Sequence, residues 1–395
     1  MRLVERHIIK DNRFEDICLK SGLLYNYVLY LVRQGIFNKE YLKEYDLSTK
    51  LGRENQFDFR NLPCNVSQQV VGQVFKSINS WIKLKKDFEK NPAKYNNCRP
   101  HLPSYKKGKK QNMVVFTTNT CRVKEGYIYF VKNIIQPIKT KIGDGKLCQV
   151  RIIPQATCYV VEVIYEKKEQ DLNLSKDNVL SIDLGLNNLC SCVNNVDKQP
   201  FIVNGRIMKS FNQWYNKRKA KLMSFAGDKG TSKRLRQLNN YRNFWIEDHI
   251  HKVSRFIINY CVDNNIGSLV VGLNKGWKQE INLGKKTNQK FVEIPFSRLI
   301  DKISYKCKLV GISFYLSEES YTSKVDHLAF EELGKHDVYL GKRKQRGLFQ
   351  SSVNKLINAD INGAIGIGRK VFGDSYVNRI IDSGLAFNPI KVNIL

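Results

Sequence analysis

Four acidic residues between positions 183 and 360 stand where carboxylates can do metal chemistry. Asp183 ends the apolar run of VLSIDLGLNNL, Glu318 and Glu319 close FYLSEE, and Asp360 begins a small-residue stretch, INADINGAIGI. Hydrolysis of a phosphodiester by two metal ions needs carboxylates that bridge or flank ions about 3.5–4 Å apart. Mg²⁺ prefers oxygen ligands and keeps several waters, so three carboxylates are enough. An acid at the lip of a buried strand is costly unless it is paired or metal-bound. The plainer alternatives are a turn-capping Asp183 and an Asp360 that favours a helix dipole. Gly363, Ala364 and Gly366 predict a helix that lies close to a sheet, which would bring an acid of its first turn near the strand ends.

The rest of the chain is strongly basic. Its 395 residues carry 66 Lys and Arg against 36 Asp and Glu, a formal charge of +30. A surplus of that size marks a polyanionic partner, because neutralising phosphates releases counterions and supplies most non-specific affinity for nucleic acid. Carboxylates able to hold divalent ions, set in such a chain, point to a metal-dependent nuclease. No apolar leader opens the sequence and no apolar run approaches the ~20 residues that span a bilayer. The expectation is a cytoplasmic protein, nucleoid-associated if the host is bacterial, with no membrane partner. The ten cysteines are scattered without a C-x-x-C pair and are expected as free thiols. Cys190 and Cys192 alternate along a strand and are expected to pack there.

Periodicity places these residues on elements. Residues 1–12 alternate as a short strand, and residues 14–90 repeat apolar positions at helical spacing. A basic loop with Pro and Gly breakers covers about residues 91–111 and holds Lys106, Lys107, Lys109 and Lys110, candidates for phosphate contact. Short strands follow, a pattern that fits a small barrel beside a helical insertion. The second half runs strand 178–184, further strands to about 206, a helical stretch over about 207–264, strand GSLVVGL, a basic loop, a helix, strand GISFYLSEE, a loop, and helix 358–371. That order implies an α/β sheet. Local alternation leaves Glu318 and Glu319 undecided: it places them on opposite faces, and parity often fails at a strand end.

Taken together, SIDLGLNNL, SLVVGLNKGWKQ, EESYTSK, GKRKQRGLFQSS and INADINGAIGI resemble the RuvC-type nuclease core of the TnpB family. TnpB proteins are transposon-encoded RNA-guided nucleases related to compact type V CRISPR effectors and to Fanzor. RPHLPSYKKGKK, VVFTT and EGYIYF extend the resemblance to the front half.

The resemblance implies an RNase H-like RuvC domain over residues 171–395, with a helical insertion at 207–264 and a basic nucleic-acid-binding loop at 320–356. Before it would come a small wedge-like β-barrel (1–12 and 112–170) interrupted by a helical recognition insertion (13–111). It implies that Asp183 and Asp360 are the first and third metal-binding, catalytic carboxylates. Many relatives carry the second as Glu where this chain has Gly272. Here the E-x-Y-T-S pattern selects Glu319 on the neighbouring strand, with Glu318 as runner-up. Two Mg²⁺ ions, replaceable by Mn²⁺, would bind there. Many relatives also carry two C-x-x-C zinc pairs in the segment before the last acid. This segment has no cysteine, and His327 and His336 are spaced for no common zinc site. The expectation is no zinc, two surface histidines, and phosphate contacts from Lys342, Arg343, Lys344 and Arg346. The partners implied are a guide RNA and double-stranded target DNA with a short adjacent motif. The alternative is a nuclease-dead, RNA-guided repressor. A self-sufficient transposase is a third and weaker reading.

Overall fold

The computed structural model describes residues 1–96, 98–227, 230–273 and 294–394, divided into two compact units, Met1–Lys168 and Glu169–Leu395. The basic loop expected after GSLVVGL lies outside the described residues.

In the first unit, strand β1 (Arg2–Ile9) leads into helices α1 (Glu15–Phe37), α2 (Glu44–Arg53), α3 (Phe57–Arg60) and α4 (Cys64–Lys90). Strands β2 (Val114–Thr117), β3 (Cys121–Lys124), β4 (Tyr127–Phe130), β5 (Ile138–Lys139), β6 (Lys146–Pro154) and β7 (Tyr159–Glu166) follow. The expected barrel is instead two open sheets, ordered β1-β7-β6-β2 and β3-β4-β5, and neither closes among the described residues. Strands of four residues or fewer at β2 to β5 are too short to wrap into a shared cylinder. Apolar faces of α1 and α4 (Leu24, Val28, Val70, Val74) join sheet residues Phe116, Val150 and Val161 in one core.

The second unit holds strands β8 (Ser175–Leu184), β9 (Asn188–Asn194) and β10 (Phe201–Asn204), helices α5 (Arg206–Ala226) and α6 (Lys233–Asp263), strand β11 (Ile266–Gly272), helix α7 (Phe296–Val310) and strand β12 (Ser313–Ser317). A small sheet of β13 (Lys342–Gln345), β14 (Leu348–Gln350) and β15 (Leu356–Asn358) precedes helices α8 (Ala359–Phe372) and α9 (Asp374–Ser383) and strand β16 (Ile390–Val392). The main sheet is ordered β12-β11-β8-β9-β10-β16. β11 and β12 run parallel to β8, and β9 runs antiparallel to it. The single helical stretch expected over 207–264 is two helices, with Ser232 capping α6 through its side chain to the Leu235 N–H.

Strand alternation sorts the sheet's residues between two helical layers. Leu180, Ile182, Leu269 and Val271 pack with Ile250, Ile257 and Leu299 of α6 and α7. Val179 and Val270 pack with Ile361, Ala364 and Ile365 of α8. Cys190 and Cys192 are buried in the first layer, and all ten cysteines are free. By the same parity Asp183 and Gly272 belong to the α8 face. Among the described residues, no helix is long and apolar enough to cross a membrane.

Candidate active site

Asp183 is the second-to-last residue of the central strand β8, paired in register with Ser191 of β9. Helix α8 reaches it closely because Gly363 has no side chain: a Cβ there would lie 3.0 Å from Asp183 Oδ2. Asp360, in the first turn of α8, accepts a hydrogen bond from Asn188 Nδ2 at 2.6 Å. Asn358 caps the same helix by accepting from the Asp360 and Ile361 N–H groups. The small residues of INADINGAIGI therefore do what their size predicts, and they do it against an acid.

The glutamates separate beyond β12, which ends at Ser317, so strand parity does not govern either of them. Glu318 is exposed. Glu319 turns toward the end of β11, where a Cβ on Gly272 would fall 2.7 Å from its Cγ and 2.8 Å from its Oε1. Glycine at 272 thus leaves the space that the Glu319 side chain fills. Lys370, in the last turn of α8, donates to the Glu318 carbonyl at 3.0 Å and to the Ser320 carbonyl at 2.6 Å. One ammonium group ties both sides of Glu319's backbone to the helix that carries Asp360.

Electrostatics links the three acids. Burial pushes Asp183 well above the usual carboxylate range, and the charges of Glu319 and Asp360 push it further. Arg343 opposes that shift, so the basic strand β13 lies within electrostatic reach of Asp183. Burial pushes Glu319 up to about 7, against the lowering influence of Lys370. Among the described residues, no three His, Cys, Asp or Glu side chains form a ready-made metal cluster. The donors nevertheless suit a hard divalent cation in kind. They are carboxylate oxygens, and Asp183 is destabilised in its charged form by two neighbours of the same sign, a penalty that a cation would relieve.

The segment after Glu319 departs from expectation at one histidine. His327 is fully buried rather than on the surface, and its Nε2 lies 2.8 Å from the Thr322 carbonyl. Gly366 of α8 lets the imidazole in: a Cβ there would sit 2.3 Å from Nε2. His336 is partly exposed, with Nε2 2.7 Å from the Glu332 carbonyl. The fold of this segment rests on buried acids. Asp326 accepts from Ser351 Oγ (2.8 Å), the Ser352 N–H (2.7 Å) and Ser352 Oγ (2.9 Å). Glu331 accepts from the Asp326 and Leu340 N–H groups.

The basic candidates divide by setting. Lys342, Arg343, Lys344 and Arg346 are exposed on and just after β13. Lys107 and Lys110 are exposed, and Lys109 pairs with Glu15 at 2.9 Å. Lys106 is partly buried with its ammonium 4.5 Å from the Tyr25 ring centroid, and its backbone is held on both sides by the Asn26 side chain. Asn188 and Lys370 were not singled out by sequence reasoning. The signal for Asn188 was its place in the turn after Asp183; nothing local marks Lys370.

Two family models match the chain. The OrfB_IS605 model, described as "Probable transposase", matches residues 160–278, and the "Cas12f1-like, TNB domain" model matches residues 296–367. Comparison with curated proteins gave no match. Among solved structures, the chain resembles Cas12f1 in a complex with single guide RNA and target DNA: 14% identity, 90% of this chain and 81% of the other, TM-score 0.54. It also aligns with a CRISPR-Cas12f ternary complex (13%, 90% and 80%, TM-score 0.38) and with the mini RNA-guided endonuclease Cas_phi3 (10%, 99% and 93%, TM-score 0.46). The first of these shows a shared mixed α/β fold.

Proposed function

With the TnpB resemblance carried by both matched segments as premise, we propose that the chain is an RNA-guided DNA endonuclease. Its hydrolytic site is formed by Asp183, Glu319 and Asp360, within an RNase H-like RuvC domain over residues 171–395. The observation that supports the reading is the approach of separate elements around Asp183: Gly363 of the helix that carries Asp360 lies against its carboxylate, Glu319 fills the room left by Gly272 at the end of the adjacent strand, and the charges of both Glu319 and Asp360 act on Asp183. Divalent ions, two Mg²⁺ in this reading, would be held by these carboxylates and would activate the attacking water and stabilise the departing oxygen. Asn188 orients Asp360 through its amide, Lys370 fixes the backbone around Glu319, and Gly272 leaves the volume that Glu319 needs. Exposed Lys342, Arg343, Lys344 and Arg346 bring phosphates toward the site, and Lys107 and Lys110 contact phosphates from the first unit. The partners are a guide RNA and duplex target DNA with a short adjacent motif, a division in which pairing reads most of the sequence. In residue terms, a wedge-like part (1–12 and 112–170) and a helical recognition part (13–111) serve RNA and motif binding.

The test is cleavage of matched target DNA by the purified protein with its own guide RNA and Mg²⁺. Asp183→Ala and Asp360→Ala should each abolish cutting while retaining guide and target binding. Glu319→Gln should abolish it and Glu318→Gln should not. Cutting by Asp183→Ala at the wild-type rate refutes the assignment. Binding without cutting by the wild-type protein favours a nuclease-dead repressor.

A further inference from the structure

We infer that the outer face of α5 and α6 carries a binding groove for an unpaired nucleotide of single-stranded nucleic acid. This inference rests on the reading of the chain as a nucleic-acid-binding protein and is independent of cleavage.

The groove lies between the two helices and is bordered by the rings of Trp214, Phe225 and Tyr241 and the cations Arg218, Lys221 and Arg234. Helical spacing produces it. Trp214, Arg218, Lys221 and Phe225 repeat at intervals of three and four residues on α5, and Arg234 precedes Tyr241 by two turns on α6. The rings are not core residues: Trp214 is 44% exposed, Tyr241 53% and Phe225 76%.

Two of these rings are held rigidly. Trp214 stacks on Phe211 (centroids 5.5 Å apart, 30° between planes), and Phe211 stacks on Trp245 (3.8 Å, 15°). Trp245 in turn stacks on buried His249 (5.1 Å, 7°). Tyr241 meets Trp214 edge-on at 5.9 Å. The result is a ladder of parallel rings that starts in the core and ends at exposed aromatics. A base stacking there adds one more rung without ordering the platform first, and every base offers a π-face.

Charge decides the class of occupant. Among the described residues lining the groove, three are cations and none is acidic. An apolar protein partner would leave those cations unpaired, whereas a nucleotide supplies a ring for the aromatics and a phosphate for Arg218, Lys221 or Arg234. A base pair inside a duplex presents only its edges, so the occupant is an unpaired nucleotide.

The experiment uses the full-length chain and an unstructured oligouridylate of about sixteen nucleotides, the upper end of a single-strand site size, with 4-thiouridine at its centre. A blunt duplex of equal length serves as comparison. Trp214→Ala and Tyr241→Ala should each weaken oligouridylate binding about tenfold, the size of one lost stack, and Trp214→Phe should restore most of it. Duplex affinity should not change. Crosslinks should map to Trp214, Tyr241 or Phe225, and melting temperatures identify any variant that has unfolded. Wild-type affinity in both alanine variants, with crosslinks only elsewhere, overturns the groove while leaving nucleic-acid binding intact. A wild-type chain that binds neither probe overturns both. A change in sedimentation by Trp214→Ala with oligouridylate affinity unchanged assigns the face to self-association and also overturns the proposal.

Discussion

Gly272 and Glu319 compete for one volume: a Cβ on the first would lie 2.7 Å from Cγ of the second and 2.4 Å from Ile367 Cδ1. An acid at 272 and an acid at 319 are therefore alternatives rather than neighbours. Gly272→Ala should move the glutamate by a fraction of an ångström to an ångström and lower cleavage about a hundredfold, the cost of misplacing a reacting group on that scale. Overpacking should cost only about 1–3 kcal/mol of stability. A cleavage assay beside a thermal melt separates the two effects, and full activity in a stable Gly272→Ala protein refutes the competition.

Lys370 acts on Glu319 through its neighbours. Lys370→Met removes the donor from the Glu318 and Ser320 carbonyls. We predict about a tenfold loss of cleavage rate, as expected when a positioned group loosens, with target binding unchanged. Lys370→Arg should recover part of the rate. Single-turnover kinetics at saturating target would show the difference, and a loss confined to target affinity would assign Lys370 to the substrate instead.

Asn188 is the corresponding support for Asp360. Asn188→Ala deletes the 2.6 Å hydrogen bond to Oδ2 and should reduce cleavage about tenfold with little change in melting temperature. The Mg²⁺ concentration needed for half-maximal rate should rise, because the carboxylate is no longer held in one orientation. An unchanged Mg²⁺ requirement would mean that the amide orders only the turn after Asp183.

Sequence patterns located the acids and most elements, and failed where the deciding information was not local. Asp183 and Asp360 stood out because the first ends an apolar run and the second begins a stretch of small residues. Glu318 and Glu319 were not separable, since β12 stops at Ser317 and alternation stops with it. The break between α5 and α6 was legible in Gly227, Gly230 and the capping Ser232, but the long run of basic and aromatic residues masked it. The short strands of the first unit read as a barrel because alternation reports faces and says nothing of closure. Burial of His327 left no trace in its polar surroundings, because the cause is the missing side chain at Gly366, distant in sequence.

His327 makes stability depend on pH. Burial holds its imidazole down to about 4, against 6.5 in an unfolded chain. The folded state therefore binds fewer protons than the unfolded one between those values, and stability rises with pH across that window. The contribution is complete above about pH 6.5 and lost as pH falls to about 4, a total near 3 kcal/mol for the shift. His327→Gln should flatten that part of the stability profile relative to wild type in urea melts. Equal slopes in the two proteins would refute the claim.

Asp326 should be among the most sensitive positions of the 320–356 segment. Asp326→Ala strands three donors, two of them on serine hydroxyls, and should cost about 3 kcal/mol. Protease sensitivity of the segment should rise with it; a melting temperature equal to wild type would contradict the assignment.

The shared volume at 272 and 319 also works as a ratchet. Placing an acid at 272 while 319 keeps its own would crowd both, and removing the one at 319 first would leave a gap in the proposed carboxylate set. Neither single step would be neutral, so the volume shared by 272 and 319 leaves no gradual path for an acid to pass from one position to the other.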